Sequence, residues 1–90
     1  MAKFRKLPIE VEAIQWDGTD ETKKLIEETF KVELGVTENW LTKTNDLTIN
    51  TLEGKMTAIV GDWIIQGVKG EVYPVKESIF SKSYEKCIEI

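Results

Sequence analysis

Four groups of residues have types and spacings that suit chemistry. Glu10 and Glu12 stand two apart in Ile9-Glu10-Val11-Glu12. The period of a strand puts both carboxylates on one face, where they can serve acid/base work or a hard cation, or simply stay solvated. Asp62, in Gly61-Asp62-Trp63, is a candidate for a buried acid, although an Asp after Gly at a corner more often caps the turn through nearby backbone. Gly67-Val68-Lys69-Gly70 is either a plain hairpin turn or a nest of backbone amides that, with Lys69 and Lys76, receives a phosphate or carboxylate. Cys87 has neither a helix amino terminus nor a His partner to stabilise its thiolate, and reads as a small buried apolar residue rather than a nucleophile.

Composition narrows the chemistry further. The 90 residues contain no histidine, which excludes Cys/His zinc sites and Ser-His-Asp or Cys-His catalysis within this chain. No catalytic residue, metal ligand or cofactor is therefore expected. A formal charge of −4 opposes the phosphate attraction behind non-specific DNA or RNA binding. The basic cluster Lys3, Arg5 and Lys6 reads as a solvated terminus. With one cysteine there is no intramolecular disulfide, and no amino-terminal stretch has the apolar core of a signal peptide or membrane helix. The expected compartment is a reducing cytoplasm, with no membrane partner.

The elements that must position these residues follow from periodicity and glycine corners. Ile9 to Trp16 alternates with a change of phase at Ala13 and Ile14, which predicts a half-buried strand, bulged where the phase slips. After Asp17-Gly18, Thr19 or Asp20 caps a helix whose Thr22, Leu25, Ile26, Thr29 and Phe30 share a face, with Asp20–Lys24 and Lys23–Glu27 as i,i+4 pairs. Lys31 to Asp46 predicts a short strand or helix end around Val32, Leu34 and Val36, then a polar loop. Leu47–Leu52 and Lys55–Val60 form a hairpin about Glu53-Gly54. A second hairpin joins Trp63-Ile64-Ile65 to Glu71–Val75, with Pro74 suited to an edge. Ile79, Phe80, Ser83 and Tyr84 predict a short helix, and Cys87 to Ile90 a closing strand.

The expected architecture is one α+β domain: a mainly antiparallel sheet of about five or six strands, curled or barrel-like under its glycine corners, with one main helix and one short carboxy-terminal helix. So small a sheet leaves free strand edges, and a homodimer is expected to cover them. Trp16 and Trp63 are expected to be structural, whereas Trp40 lies in a polar stretch where an exposed indole would mark a contact surface.

Several spaced motifs then occur in one order: Phe4-Arg5-Lys6-Leu7-Pro8 before Val11-Glu12-Ala13-Ile14-Gln15-Trp16, Thr51-Leu52-Glu53-Gly54-Lys55-Met56, Gly61-Asp62-Trp63-Ile64-Ile65, Gly67 through Pro74, and Ile79-Phe80 before Tyr84-Glu85. In these the chain resembles a family of short proteins encoded by bacteriophages and prophages; Lys31 to Asp46 lies outside the likeness. The resemblance implies an origin in an infected or lysogenic bacterium and transfers no activity. The expected function is a non-enzymatic binding module for a host protein or a small anionic ligand, with contacts at Trp40, Gly67, Lys69, Gly70 and Lys76. A carboxylate-dependent hydrolase using Glu10, Glu12 or Asp62, and an accessory component of the phage particle, are the competing readings.

Overall fold

Helix α1 spans Asp20–Phe30 and begins where the sequence supplies a cap: the Thr19 hydroxyl oxygen accepts the Thr22 N–H at 3.2 Å. Asp20 and Glu21 in the first turn complement the positive end of the helix. Lys31, at φ 57°, ends it in the left-handed conformation. Ile26 and Phe30 are buried, and each contributes roughly 1.5–3 kcal/mol through burial. Leu25, expected on the same face, is half-exposed and Thr29 is exposed. The buried stripe is therefore narrower than the run of apolar and threonine residues suggests. Lys23 pairs with Glu27 at 3.0 Å, and the second oxygen of Glu27 accepts the Leu34 N–H at 3.2 Å, fastening the helix to the strand that follows. The expected Asp20–Lys24 pair does not form.

The computed structural model describes residues 2–3 and 10–84. The expected strand at Cys87–Ile90, the residues Arg5 and Lys6, and Ile9 fall outside that range. Six strands lie within it: β1 Glu12–Gln15, β2 Leu34–Asn39, β3 Thr44–Thr51, β4 Gly54–Ala58, β5 Trp63–Gln66 and β6 Val72–Val75. A second helix, α2, spans Glu77–Ser83.

The strands do not form the single curled or barrel-like sheet that the glycine corners suggested. They form two antiparallel sheets of three, in the orders β1-β5-β6 and β2-β3-β4, and neither closes into a barrel. The break falls between β4 and β6, which approach without a ladder. Pro74 has no N–H to give to one, and β6 accepts it as an edge strand.

The polar stretch expected as a loop is largely strand. β2 continues to Asn39, only residues 40–43 turn, and β3 starts at Thr44. The two pair from Leu34↔Ile49 to Asn39↔Thr44. One face of this sheet carries Leu34, Leu47, Ile49 and Ala58 into the core, while the other carries Thr37, Asp46, Thr48 and Thr57. Strand period survives there as alternating threonine and aliphatic positions, which a search for apolar runs overlooks. The β3–β4 hairpin turns through Leu52-Glu53, with Gly54 already paired to Thr51.

One core joins both sheets and α1: Trp16, Ile26, Phe30, Leu34, Leu47, Ile49, Ala58, Ile64 and Val72, flanked by Ile14 and Val32. The opposite face of the β1-β5-β6 sheet holds Ile65, which is fully buried, and Trp63, which is half-buried. Phe80 of α2 stacks on Trp63 with ring centroids 4.4 Å apart, and Tyr84 stacks on Phe80 at 4.9 Å. This aromatic column sets where α2 sits, because α2 buries no residue of its own.

Candidate functional site

The β5–β6 hairpin brings together two residues that lie 14 apart in sequence. Its register pairs Trp63 with Val75, and one step further Asp62 faces Lys76. Asp62 is 4% exposed and closes the corner from Ile59: its Oδ2 accepts the Ile59 N–H at 3.0 Å, and its own N–H donates to the Ile59 carbonyl at 3.0 Å. Gly61, at φ 101°, makes that corner accessible to the backbone. Lys76 Nζ approaches Asp62 Oδ2 at 3.4 Å from a side chain that is 56% exposed. No described residue donates a hydrogen bond to Asp62 Oδ1.

Asp62 and Lys76 lie in the wall of an open groove of about 320 Å³ where the two sheets part. Met56 and Thr57 of β4 line one side, Pro74 and Val75 of β6 the other, and Ile79 of α2 the end. The groove is apolar with one ion pair in its wall.

The Gly67–Gly70 turn is a separate place. Lys69 and Lys76 stand at opposite ends of β6, so they do not converge on one anion. Three of the four amides of the turn are already taken: Gly67 N–H donates to the Glu71 carbonyl at 2.8 Å, Gly70 N–H to the Gly67 carbonyl at 3.0 Å, and Lys69 N–H to Glu71 Oε2 at 3.1 Å. The Glu71 carboxylate lies over Gly67, in the space a side chain there would need. The concavity that could receive an external anion thus holds the chain's own.

Trp40 occupies a third place, the β2–β3 turn, where it is 84% exposed beside Leu41 at 97%. The turn is pinned from within. Asn39 Oδ1 accepts the Leu41 and Thr42 N–H groups at 3.0 and 3.4 Å, Asn39 Nδ2 donates to Asp46 Oδ2 at 3.2 Å, and Lys43 takes φ 57°. An Asx turn of this kind satisfies backbone donors locally, so the two apolar side chains are held outward rather than folded onto the sheet.

The remaining candidates scatter. Glu10 and Glu12 are exposed, and Glu12 pairs with Gln66 while Asp62 adjoins the other end of the same strand pair, roughly 13 Å away along the strand. Among the described residues no group of three His, Cys, Asp or Glu side chains could hold a metal ion, and no helix is long and apolar enough to cross a membrane. Cys87 lies outside the described residues. The groove went unnoticed in the sequence, although the hairpin register alone places Asp62 opposite Lys76.

No family model, curated protein or solved structure matches this chain.

Proposed function

We propose that this chain is a phage- or prophage-encoded, non-enzymatic binding module that engages a bacterial host protein through Trp40 and Leu41. The observation that carries the reading is the exposure of both side chains on a turn whose backbone is held by Asn39. An exposed Trp-Leu pair contributes nothing to the core, yet it offers a large apolar contact at low conformational entropy, the chemistry of an interface anchor. The partner it fits is a protein with an apolar pocket and a polar rim that can pair with Asn39, Thr42 and Lys43. The origin rests on the resemblance of the spaced motifs to small phage proteins, and the separation of Glu10 and Glu12 from Asp62 supports a role without catalysis. The Gly67–Gly70 turn supports anion capture less well, since Glu71 fills it.

The test is capture from bacterial lysate on the immobilised chain, in parallel with Trp40→Ala and Leu41→Ala. Both variants are expected to melt like the parent while losing the protein that the parent retains. A partner held equally by parent and variants would reject this contact surface.

A further inference from the structure

We propose that the groove between β4, β6 and α2 is a binding site for a small primary ammonium compound with an apolar body, anchored on Asp62. This inference does not rest on the Trp40 reading, because the β2–β3 turn contributes no residue to the groove.

Three observations converge on that ligand class. The first is a buried charge with spare capacity. The Asp62 side chain is 6% exposed, its Oδ2 takes the Ile59 N–H and Lys76, and no described residue donates to Oδ1. Among the described residues Asp46 Oδ1 is the one buried side-chain oxygen without a partner, so Asp62 Oδ1 still meets water and can exchange it for a donor on a ligand.

The second is the looseness of its present partner. Lys76 Nζ stands 3.4 Å away, beyond the roughly 2.7–2.9 Å of a tight ammonium–carboxylate bond, on a side chain that is more than half exposed. Lys76 therefore holds the carboxylate only weakly and can swing into solvent. A ligand ammonium reaching Asp62 from the groove can complement or displace it.

The third is the local sign of charge. Glu77 Oε2 lies against Gly61, 3.2 Å from where a Cβ would stand there, so a second carboxylate stands beside the corner that holds Asp62 and its one ammonium partner, Lys76. A cation is attracted to that surplus and a carboxylate repelled. The walls supply the rest: Met56, Pro74, Val75 and Ile79 present apolar surface, with Met56 and Ile79 still partly exposed and able to lose water contact when an alkyl or aryl body enters.

The test compares three ligands with one apolar body, n-hexylammonium, hexan-1-ol and hexanoate, by amide chemical-shift titration of the whole chain. Hexylammonium is expected to give saturable shifts at Met56, Thr57, Lys76 and Ile79, with affinity about tenfold above hexanol and higher still above hexanoate. Asp62→Asn, whose amide oxygen still accepts the Ile59 N–H, is expected to lose about tenfold in hexylammonium affinity. Lys76→Gln removes the competing ammonium and is expected to bind hexylammonium more tightly. Equal affinity for the three ligands, shifts outside the groove, or no saturable shifts would overturn the proposal. Should Asp62→Asn not fold, the ligand series on the parent and on Lys76→Gln decides alone.

Discussion

The indole Nε1–H of Trp16 donates to the backbone carbonyl of Asn45 at 2.8 Å, and this bond crosses from one sheet to the other. The same residue anchors the corner at Gly61: Trp16 N–H donates to the Asp62 carbonyl and Gly61 N–H to the Trp16 carbonyl, both at 2.8 Å. Asn45 answers with Nδ2 to the Gly18 carbonyl at 3.2 Å. Trp16 is 1% exposed, so it is at once the largest core side chain and the tie between sheets, helix and corner.

Trp16→Phe keeps most of the ring and removes the donor, leaving the Asn45 carbonyl without its partner. The expected loss is about 1–3 kcal/mol, and Trp16→Ala is expected to lose about 3–5 kcal/mol, enough to unfold much of the population of so small a chain. Urea midpoints of the two variants check this. A Trp16→Phe variant as stable as the parent would deny the bond any role in joining the sheets.

Phe80→Ala removes the middle ring of the Trp63–Phe80–Tyr84 column. Because α2 buries nothing else, the variant is expected to release α2 with only about 1–2 kcal/mol of global cost. Hydrogen exchange should rise at the Phe80 and Tyr84 amides, which donate to the Lys76 and Phe80 carbonyls, while Ile49 and Leu47 stay protected. Loss of protection throughout the core would contradict the local role assigned to the column.

Lys69 and Lys76, at opposite ends of β6, are expected to respond differently to substitution. Lys69→Ala touches an exposed turn whose amide contact is made by backbone, and its melting point should stay within measurement error. Lys76→Ala leaves Asp62 with one donor fewer; at 56% exposure the expected cost is below about 1 kcal/mol, well short of a buried pair. Asp62→Ala also strips the Ile59 amide of its acceptor, so about 1–3 kcal/mol is expected. Thermal melts of the three variants should rank in that order.

Ionisation should leave its mark at both ends of the pH scale. Burial, with the Tyr84 hydroxyl beside it, raises the Tyr73 phenol above its ordinary 10.0. A raised pKa means the folded state holds its proton more firmly, so this contribution is complete below pH 10 and is lost as pH climbs through the folded value. Hydrogen bonds from Thr19 lower Asp17, and those from Lys23 and Leu34 lower Glu27, so their contributions are present above the ordinary values of 3.8 and 4.5 and fade as pH falls through the folded ones. Absorbance titration should show the Tyr73 phenol ionising above pH 10.0, and Tyr73→Phe should remove that late component. A Tyr73→Phe variant that keeps it would place the shift elsewhere.

The sequence alone determined what local chemistry can decide. Thr19 specified the start of α1, Gly54 and Gly61 the corners around β4, Pro74 an edge position, and the absence of histidine a whole class of catalysis. These signals act within a few residues, through a cap, a φ angle or a missing donor, so no tertiary partner is needed to read them. Tertiary structure decided which strands pair. Nothing local says that β1 should join β5, whose nearest paired residues Gln15 and Trp63 lie 48 positions apart, while β4 stops short of β6, because that depends on Trp16 and Ile64 sharing one core with Leu47 and Ala58. It also turned Thr44–Asp46 from loop into strand, where a neighbouring strand supplies the hydrogen bonds that a polar segment cannot find alone. Tertiary structure likewise sent Lys69 and Lys76 to opposite ends of β6, filled the glycine turn with Glu71, and set Asp62 in a groove, since each arrangement rests on contacts whose energies depend on the fold being already assembled.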